Sequence, residues 1–302
     1  MSSAYAIVLA HGVAAPLGAW WYFRRFAVTR PPVGVFNERD VVFMSVAIVV
    51  VPFVYLALPI AVVATLLCLV ALNLVYVLVR PIAGSAQLTL GLALAAVAAD
   101  ALAAIAYGSA GNSFLAVNNV ALVLLAVAVA NLLAQAGMRA SSLALLAGFL
   151  ALYDGVATAA LPVMRDLFER LGGAPFAPFV AWRTESGGLG LGLGDLLVLA
   201  LAPLVFRKAF GVPAGAAAAA VSVATAAIVL AVLELRLLET AFPVLVALGP
   251  AVVAQYAFWI HRRGCERTTR EYLLAEPNVS SPNDAAESRK PAFLREHALE
   301  RR

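Results

Sequence analysis

The sequence predicts an all-α polytopic membrane protein, and three observations carry that prediction. The 302 residues are 63% hydrophobic and 13% charged, with a mean hydropathy of +0.93. Soluble domains are nearer half apolar and a quarter charged. The apolar residues are gathered into runs of about 20, the length that crosses a hydrocarbon core. The basic residues stand at the ends of those runs, where orientation signals sit. The formal charge of +4 is therefore dispersed, and no nucleic-acid partner is expected from it.

Nine spans follow, near 4–23, 41–58, 60–79, 86–107, 113–136, 141–163, 188–206, 212–232 and 241–260. The first has no positive n-region before it and flows into an arginine-rich loop from Arg24, so it is expected to be a span and not a signal peptide. Trp20 and Trp21 sit at its end, as an aromatic belt would. The uncharged stretch 41–79 is too long for one crossing, and Pro59 is its natural break. Alanine-rich stretches near 91–106 and 215–220 suit close helix packing in lipid. Asn73, Asn118, Asn119 and Asn131 are expected to bond between helices. Pro162 is expected to end or kink the sixth span. Residues 164–171 then read as a short amphipathic helix at the membrane surface, able to gate access to the spans it joins. After 260 the chain turns polar. The expected division is a transmembrane domain over 1–262 and a largely disordered cytoplasmic tail over 263–302.

Lysine and arginine orient the bundle. With the 24–40 loop in the cytoplasm, that side holds Arg24, Arg25, Arg30, Arg39, Arg80, Arg139, Arg207, Lys208, Arg262, Arg263, Arg267 and Arg270; the other holds Arg165, Arg170, Arg183 and Arg236. The N-terminus is then expected outside and the C-terminus inside.

Three acids lie within apolar runs: Asp100, Asp154 and Asp195. Each is expensive in lipid and is a functional-site candidate by default. Asp154 follows Tyr153 on the sixth span. Asp195 closes a glycine-rich run, Gly190-Leu191-Gly192-Leu193-Gly194-Asp195, on the seventh. Helical counting from the span ends puts both roughly 10–14 Å below the same surface. Two carboxyls held close in a low dielectric share one proton. One can then deprotonate water while the other donates to a peptide carbonyl, with no metal or cofactor. Which starts protonated is open. Glycines keep the backbone before Asp195 loose, and an extended edge there could pair with an unwound substrate strand. Asp100 is expected to bond to a neighbouring helix or to line a water path.

Other chemistries find less support. His11, His261 and His297 with Cys68 and Cys265 are too scattered for a metal cluster, and HExxH is absent. A disulfide between Cys68, in an apolar span, and Cys265, in a polar segment, is not expected. A serine nucleophile would have only His11 for a base.

Tyr153-Asp154 and Gly192-Leu193-Gly194-Asp195 resemble the YD and GxGD motifs of the presenilin and signal peptide peptidase family of intramembrane aspartyl proteases. That resemblance implies a presenilin-like bundle of nine spans with Asp154 and Asp195 as the catalytic pair on the sixth and seventh. It also implies support from Tyr153, Gly192, Leu193 and Gly194. The family's third motif, PAL, opens its ninth span; Pro243-Val244-Leu245 stands at that place, with Val244 departing from the pattern. The orientation is that of signal peptide peptidases, which implies transmembrane or signal-peptide substrates within membrane lipid and no obligatory partner subunits. Three alternatives stay open: a proton-coupled transporter using Asp100, Asp154 and Asp195, a non-catalytic membrane-protein binder, and a prepilin peptidase, which shares GxGD.

Overall fold

A computed structural model describes residues 2–28, 36–108, 111–159, 163–184, 187–237, 243–268 and 271–272. Among them are ten helices and one β-hairpin: α1 (Ser3–Arg25), α2 (Glu38–Ala57), α3 (Ile60–Ala83), α4 (Ala86–Tyr107), α5 (Asn112–Gln135), α6 (Ala140–Ala159), α7 (Val163–Leu171), β1 (Phe179–Thr184), β2 (Gly187–Gly192), α8 (Leu193–Phe210), α9 (Val212–Glu234) and α10 (Val244–Arg263). Eight helices, all but α7 and α8, are long and apolar enough to cross a membrane. This fits an integral multi-pass protein.

The helix starts follow from local chemistry. Asn37 and Asp40 cap α2 reciprocally, and Ser2 and Ser85 accept the N–H groups of Tyr5 and Leu88 at the starts of α1 and α4. Pro59 separates α2 from α3, as expected from the sequence. Pro162 and residues 241–242, at the expected start of the last span, lie outside the described residues.

The helix α8 is the hub. Nearly every residue from Asp195 to Phe210 is buried, against α1, α5 and α9. It carries three charges, yet each of the two basic ones has work at its far end. The Lys208 ammonium donates to the carbonyls of Ala134 and Met138 at the end of α5, at 2.9 and 2.5 Å. The first belongs to the last turn of α5, whose carbonyls a helix terminus leaves short of intrahelical partners, and Met138 lies just beyond that helix. The Arg207 guanidinium lies over the Trp20 ring. A helix shielded by its neighbours does not need an all-apolar surface, so α8 can carry Asp195, Arg207 and Lys208. By contrast α2 buries only Val41 and Pro52 and exposes Val42, Phe43 and Val46, as a helix facing lipid would.

Close approach is bought at two glycines. A Cβ on Gly249 of α10 would lie 2.4 Å from the Ala147 carbonyl oxygen and 2.6 Å from Ala151 Cβ of α6. One on Gly215 of α9 would meet Arg207 Cβ at 2.6 Å and Trp20 at 2.7 Å. Small residues at such crossings are how helices associate in lipid, where no hydrophobic drive separates lipid from protein.

Two sequence expectations are corrected. The seventh run was expected to be helical from 188; instead Gly187–Gly192 is a strand paired with β1, and the helix starts at Leu193. Glycine weakens a helix and a strand alike, but pairing with β1 satisfies the main chain of this run in extended form. Asn118 and Asn119 bond to the hairpin and not to another helix; Asn131 does join two helices, donating to Ala19 of α1 at 3.3 Å. Of the segment 263–302, expected as a largely disordered tail, the described residues 263–268 and 271–272 pack on the bundle. Glu266 accepts from the N–H groups of Ala140 (2.8 Å) and Ser141 (3.4 Å), from the Ser141 hydroxyl (2.8 Å) and from Arg139 (2.8 Å), so it caps α6 from outside. Arg267 donates to the Ala209 carbonyl, and Tyr272 is buried against Phe23. Residues 273–302 lie outside the described part.

Candidate active site

Asp195 stands in the first turn of α8 and is 6% exposed. Both its carboxylate oxygens accept main-chain N–H groups. Oδ2 takes that of Gly192, at 2.9 Å, and Oδ1 takes that of Leu245, at 2.8 Å. Each donor belongs to a helix start, where N–H groups have no intrahelical partner. The positive ends of α8 and α10 therefore converge on one carboxylate, an arrangement that favours negative charge.

The flanking residues are fixed by the same geometry. A Cβ on Gly192 would press on Asp195 Oδ2 at 3.1 Å, and one on Gly194 would meet Leu245 Cδ1 at 3.3 Å. Leu193 donates its N–H to the Pro178 carbonyl at 2.9 Å, which ties the start of α8 to the start of the hairpin. Pro243 is the residue before α10 and cannot donate, so the first free donors there are further in. Val244 is 2% exposed, part of the main core. The departure at Val244 does not touch the contact with Asp195, because that contact runs through the main chain of Leu245.

Asp154 comes from α6, half-buried, one and a half turns before the last described residue of that helix. It lies within electrostatic range of Asp195. The helices that carry the two acids touch each other, and α10 packs along α6. Gly155, next to Asp154, faces Val246 at 3.8 Å, so the start of α10 touches both the Asp154 turn and the Asp195 turn. Tyr153 stacks on Phe149, its neighbour one turn earlier on α6, with ring centroids 6.3 Å apart. Asp195 sits nearer the start of its helix than helical counting implied, about 3 Å into α8, because five residues counted as helix, 188–192, are strand.

Asp100 does not join the pair. Its Oδ2 accepts the Phe176 N–H at 2.6 Å, and Phe176 takes the left-handed conformation (φ 56°) just before β1. Asp100 thus braces the loop that leads into the hairpin. Among the described residues, no three His, Cys, Asp or Glu side chains gather closely enough to hold a metal ion. His11 bonds to the Ile7 carbonyl of its own helix.

The hairpin delivers the Asp195 turn, and its two edges differ. The N–H and carbonyl of Ala181 pair with the Asn119 amide at 3.0 and 2.9 Å, and those of Arg183 pair with the Asn112 amide at 3.1 and 3.0 Å. Asn118 donates to the carbonyls of Ala177 and Phe179. All three asparagines belong to α5. Ala181 and Arg183 therefore turn their main-chain groups away from β2. Their partners in register, Gly190 and Gly188, turn theirs to the opposite edge, by the alternation of an antiparallel ladder. Both of those glycines are exposed. Asn112 was not singled out in the sequence; its spacing of seven residues from Asn119, two turns of one helix face, was the available signal.

The short helix α7 joins α6 to this hairpin. Leu167 and Leu171 pack under it, and Arg170 donates to the carbonyls of Leu56 and Leu58 at the end of α2. No protein-family profile matches the chain, and no curated protein does.

Proposed function

We propose that this protein is an intramembrane aspartyl endopeptidase of the presenilin and signal peptide peptidase type, with Asp154 and Asp195 as the water-activating pair. The observation that carries the reading is that two acids on neighbouring helices lie within electrostatic range of each other, where two helix starts and an exposed strand edge converge. The ionised member takes a proton from water as the water oxygen bonds to the peptide carbonyl carbon, and the protonated member donates to the carbonyl oxygen. The tetrahedral diol then breaks its C–N bond as the nitrogen receives a proton from the pair. Gly192 and Leu245 hold the Asp195 carboxylate in one orientation throughout. Tyr153, Leu193, Gly194, Pro243 and Val244 shape the surroundings.

The nine-span topology belongs to this reading, with α8 as the seventh crossing. It is supported by contacts that sort helix ends into two groups. Ser2 meets Glu234 at one end, with Arg170 and the end of α2. Lys208 meets the end of α5 at the other, with Glu266 and the start of α6. The charge bias then puts the N-terminus outside and the C-terminus in the cytoplasm. Substrates are transmembrane helices or signal peptides in the bilayer. An unwound stretch adds to the free edge of β2, whose glycines leave room for another backbone and which runs directly into the Asp195 turn. No partner subunit, nucleic acid or cofactor is needed for this chemistry.

Cleavage of a transmembrane peptide in liposomes by the wild type, with loss in Asp154→Ala and Asp195→Ala, tests the proposal. Full cleavage by Asp195→Ala would end it. A second reading has its own observation: both Asp195 oxygens already serve as caps, which a non-catalytic membrane-protein binder would also need. Asp154→Asn separates the two, because it leaves both main-chain bonds of Asp195 in place and removes one member of the water-activating pair.

A further inference from the structure

We propose that Asn112 and Asn119 act as a surrogate strand that restricts an extended substrate to the β2 edge, and so set the register in which it meets Asp195. The inference rests on the aspartyl-protease reading and on strand addition at β2. A two-stranded ribbon has two open edges, and each is a template for a further strand. Here one edge is closed by side chains. Each asparagine amide offers one carbonyl and one N–H₂ in the geometry of a peptide group. Asn119 and Asn112 use both on Ala181 and Arg183, every second residue of β1, as a neighbouring strand would. Asn119 is fully buried in α5, so this edge is sealed by the bundle and not by solvent. The sealing matters because side chains that fit β1 would meet Asp195 from the wrong side, or out of phase by a residue, and a one-residue slip turns every substrate side chain over.

The asparagines touch no reacting atom and are positioning residues. Their signature is the place of the cut and the apparent substrate affinity, not the chemical step. The test uses the full chain in liposomes, a single-span peptide substrate, and a set of the same peptide with single amide-to-ester replacements. The wild type should give one narrow cluster of cut sites, and ester replacements should slow it at alternate positions. Asn112→Ala and Asn119→Ala should spread the cuts to neighbouring bonds and raise KM about threefold to tenfold, because a hairpin no longer held by one or two hydrogen bonds to α5 must be ordered at the expense of substrate binding, with kcat little changed. Ala181→Pro placed on Asn119→Ala should narrow the cuts again. A proline on an edge strand removes the N–H that a misplaced substrate would use, whereas damage to the fold would not be repaired by removing another donor. Asn112 is half-buried at the rim of α5, so its variant keeps the question open to measurement if Asn119→Ala does not fold. Cleavage with the same cut sites and the same KM in both variants overturns the inference alone. Cleavage by the wild type without the alternating ester pattern removes strand addition and the inference with it. No cleavage by the wild type at all removes the protease reading itself.

Discussion

The carboxylate of Asp195 accepts the main-chain N–H of Leu245 at 2.8 Å, across 50 residues of sequence. This bond makes the start of α10 a part of the acid's environment, and it explains why a proline followed by two apolar residues is useful there. Proline ends the approach with no donor of its own, and the next turn presents N–H groups to the carboxylate.

Because the contact is made by the main chain, Val244→Ala should leave turnover close to that of the wild type. Leu245→Pro should not. It removes the donor at a first-turn position that otherwise tolerates proline, and an unmade bond to a charged group costs about 1.5–3 kcal/mol. Turnover in liposomes should fall by about one to two orders of magnitude, while size-exclusion chromatography still shows a folded protein.

Gly249→Ala should damage both stability and activity. The added methyl falls 2.4 Å from the Ala147 carbonyl oxygen, so α6 and α10 must part. Overpacking of this kind costs about 1–3 kcal/mol. The displaced helix carries Asp154, so cleavage should fall further than the loss of folded protein explains. Gly215→Ala makes a comparable clash between α9 and α8, away from the acids. It should lower the melting temperature in detergent while sparing the turnover of the molecules that remain folded. Equal activity losses in the two would contradict the placement of Asp154.

Glu266→Gln should destabilise the protein by about 1–2 kcal/mol, since the cap of α6 loses its charge and its dipole complement. Arg139→Ala should cost less, about 0–1 kcal/mol, because the arginine is 59% exposed and an exposed ion pair contributes little. Thermal unfolding of the two variants side by side checks the order; a larger loss for Arg139→Ala would contradict it.

Arg170→Ala should free α7 from the end of α2. The carbonyls of Leu56 and Leu58 lose their donor, and the connector between α6 and the hairpin loses its anchor. Limited proteolysis should then cut within 163–171 faster than in the wild type, with the rest of the fragment pattern unchanged.

Much of this was legible in the chain. The break at Pro59, the short amphipathic helix, read at 164–171 and found at Val163–Leu171, and the isolation of Asp154 and Asp195 in apolar surroundings all follow from hydropathy, proline and charge. The hairpin was not legible. Glycine at alternate positions, with leucine between, satisfies a loose helix start as well as a strand, and periodicity over six residues does not separate them. The cap by Glu266 was hidden for a different reason: its polar surroundings read as tail, and its partner lies 126 residues away.

The sequence by itself determined the class of molecule, the helix inventory within a few residues, and which acids stand where lipid makes them costly. These are local properties, set by the free energy of moving each side chain out of water. Tertiary structure alone decided what those acids face. It brought the starts of α8 and α10 onto Asp195, set Asp154 within electrostatic range of it, turned Asp100 toward the Phe176 loop, and closed one edge of the hairpin with Asn112 and Asn119 while leaving Gly188 and Gly190 on the other exposed. Hydrogen bonds between residues far apart in the chain leave no periodic trace, because each needs only one suitable group at each end, and the fold chooses which groups meet.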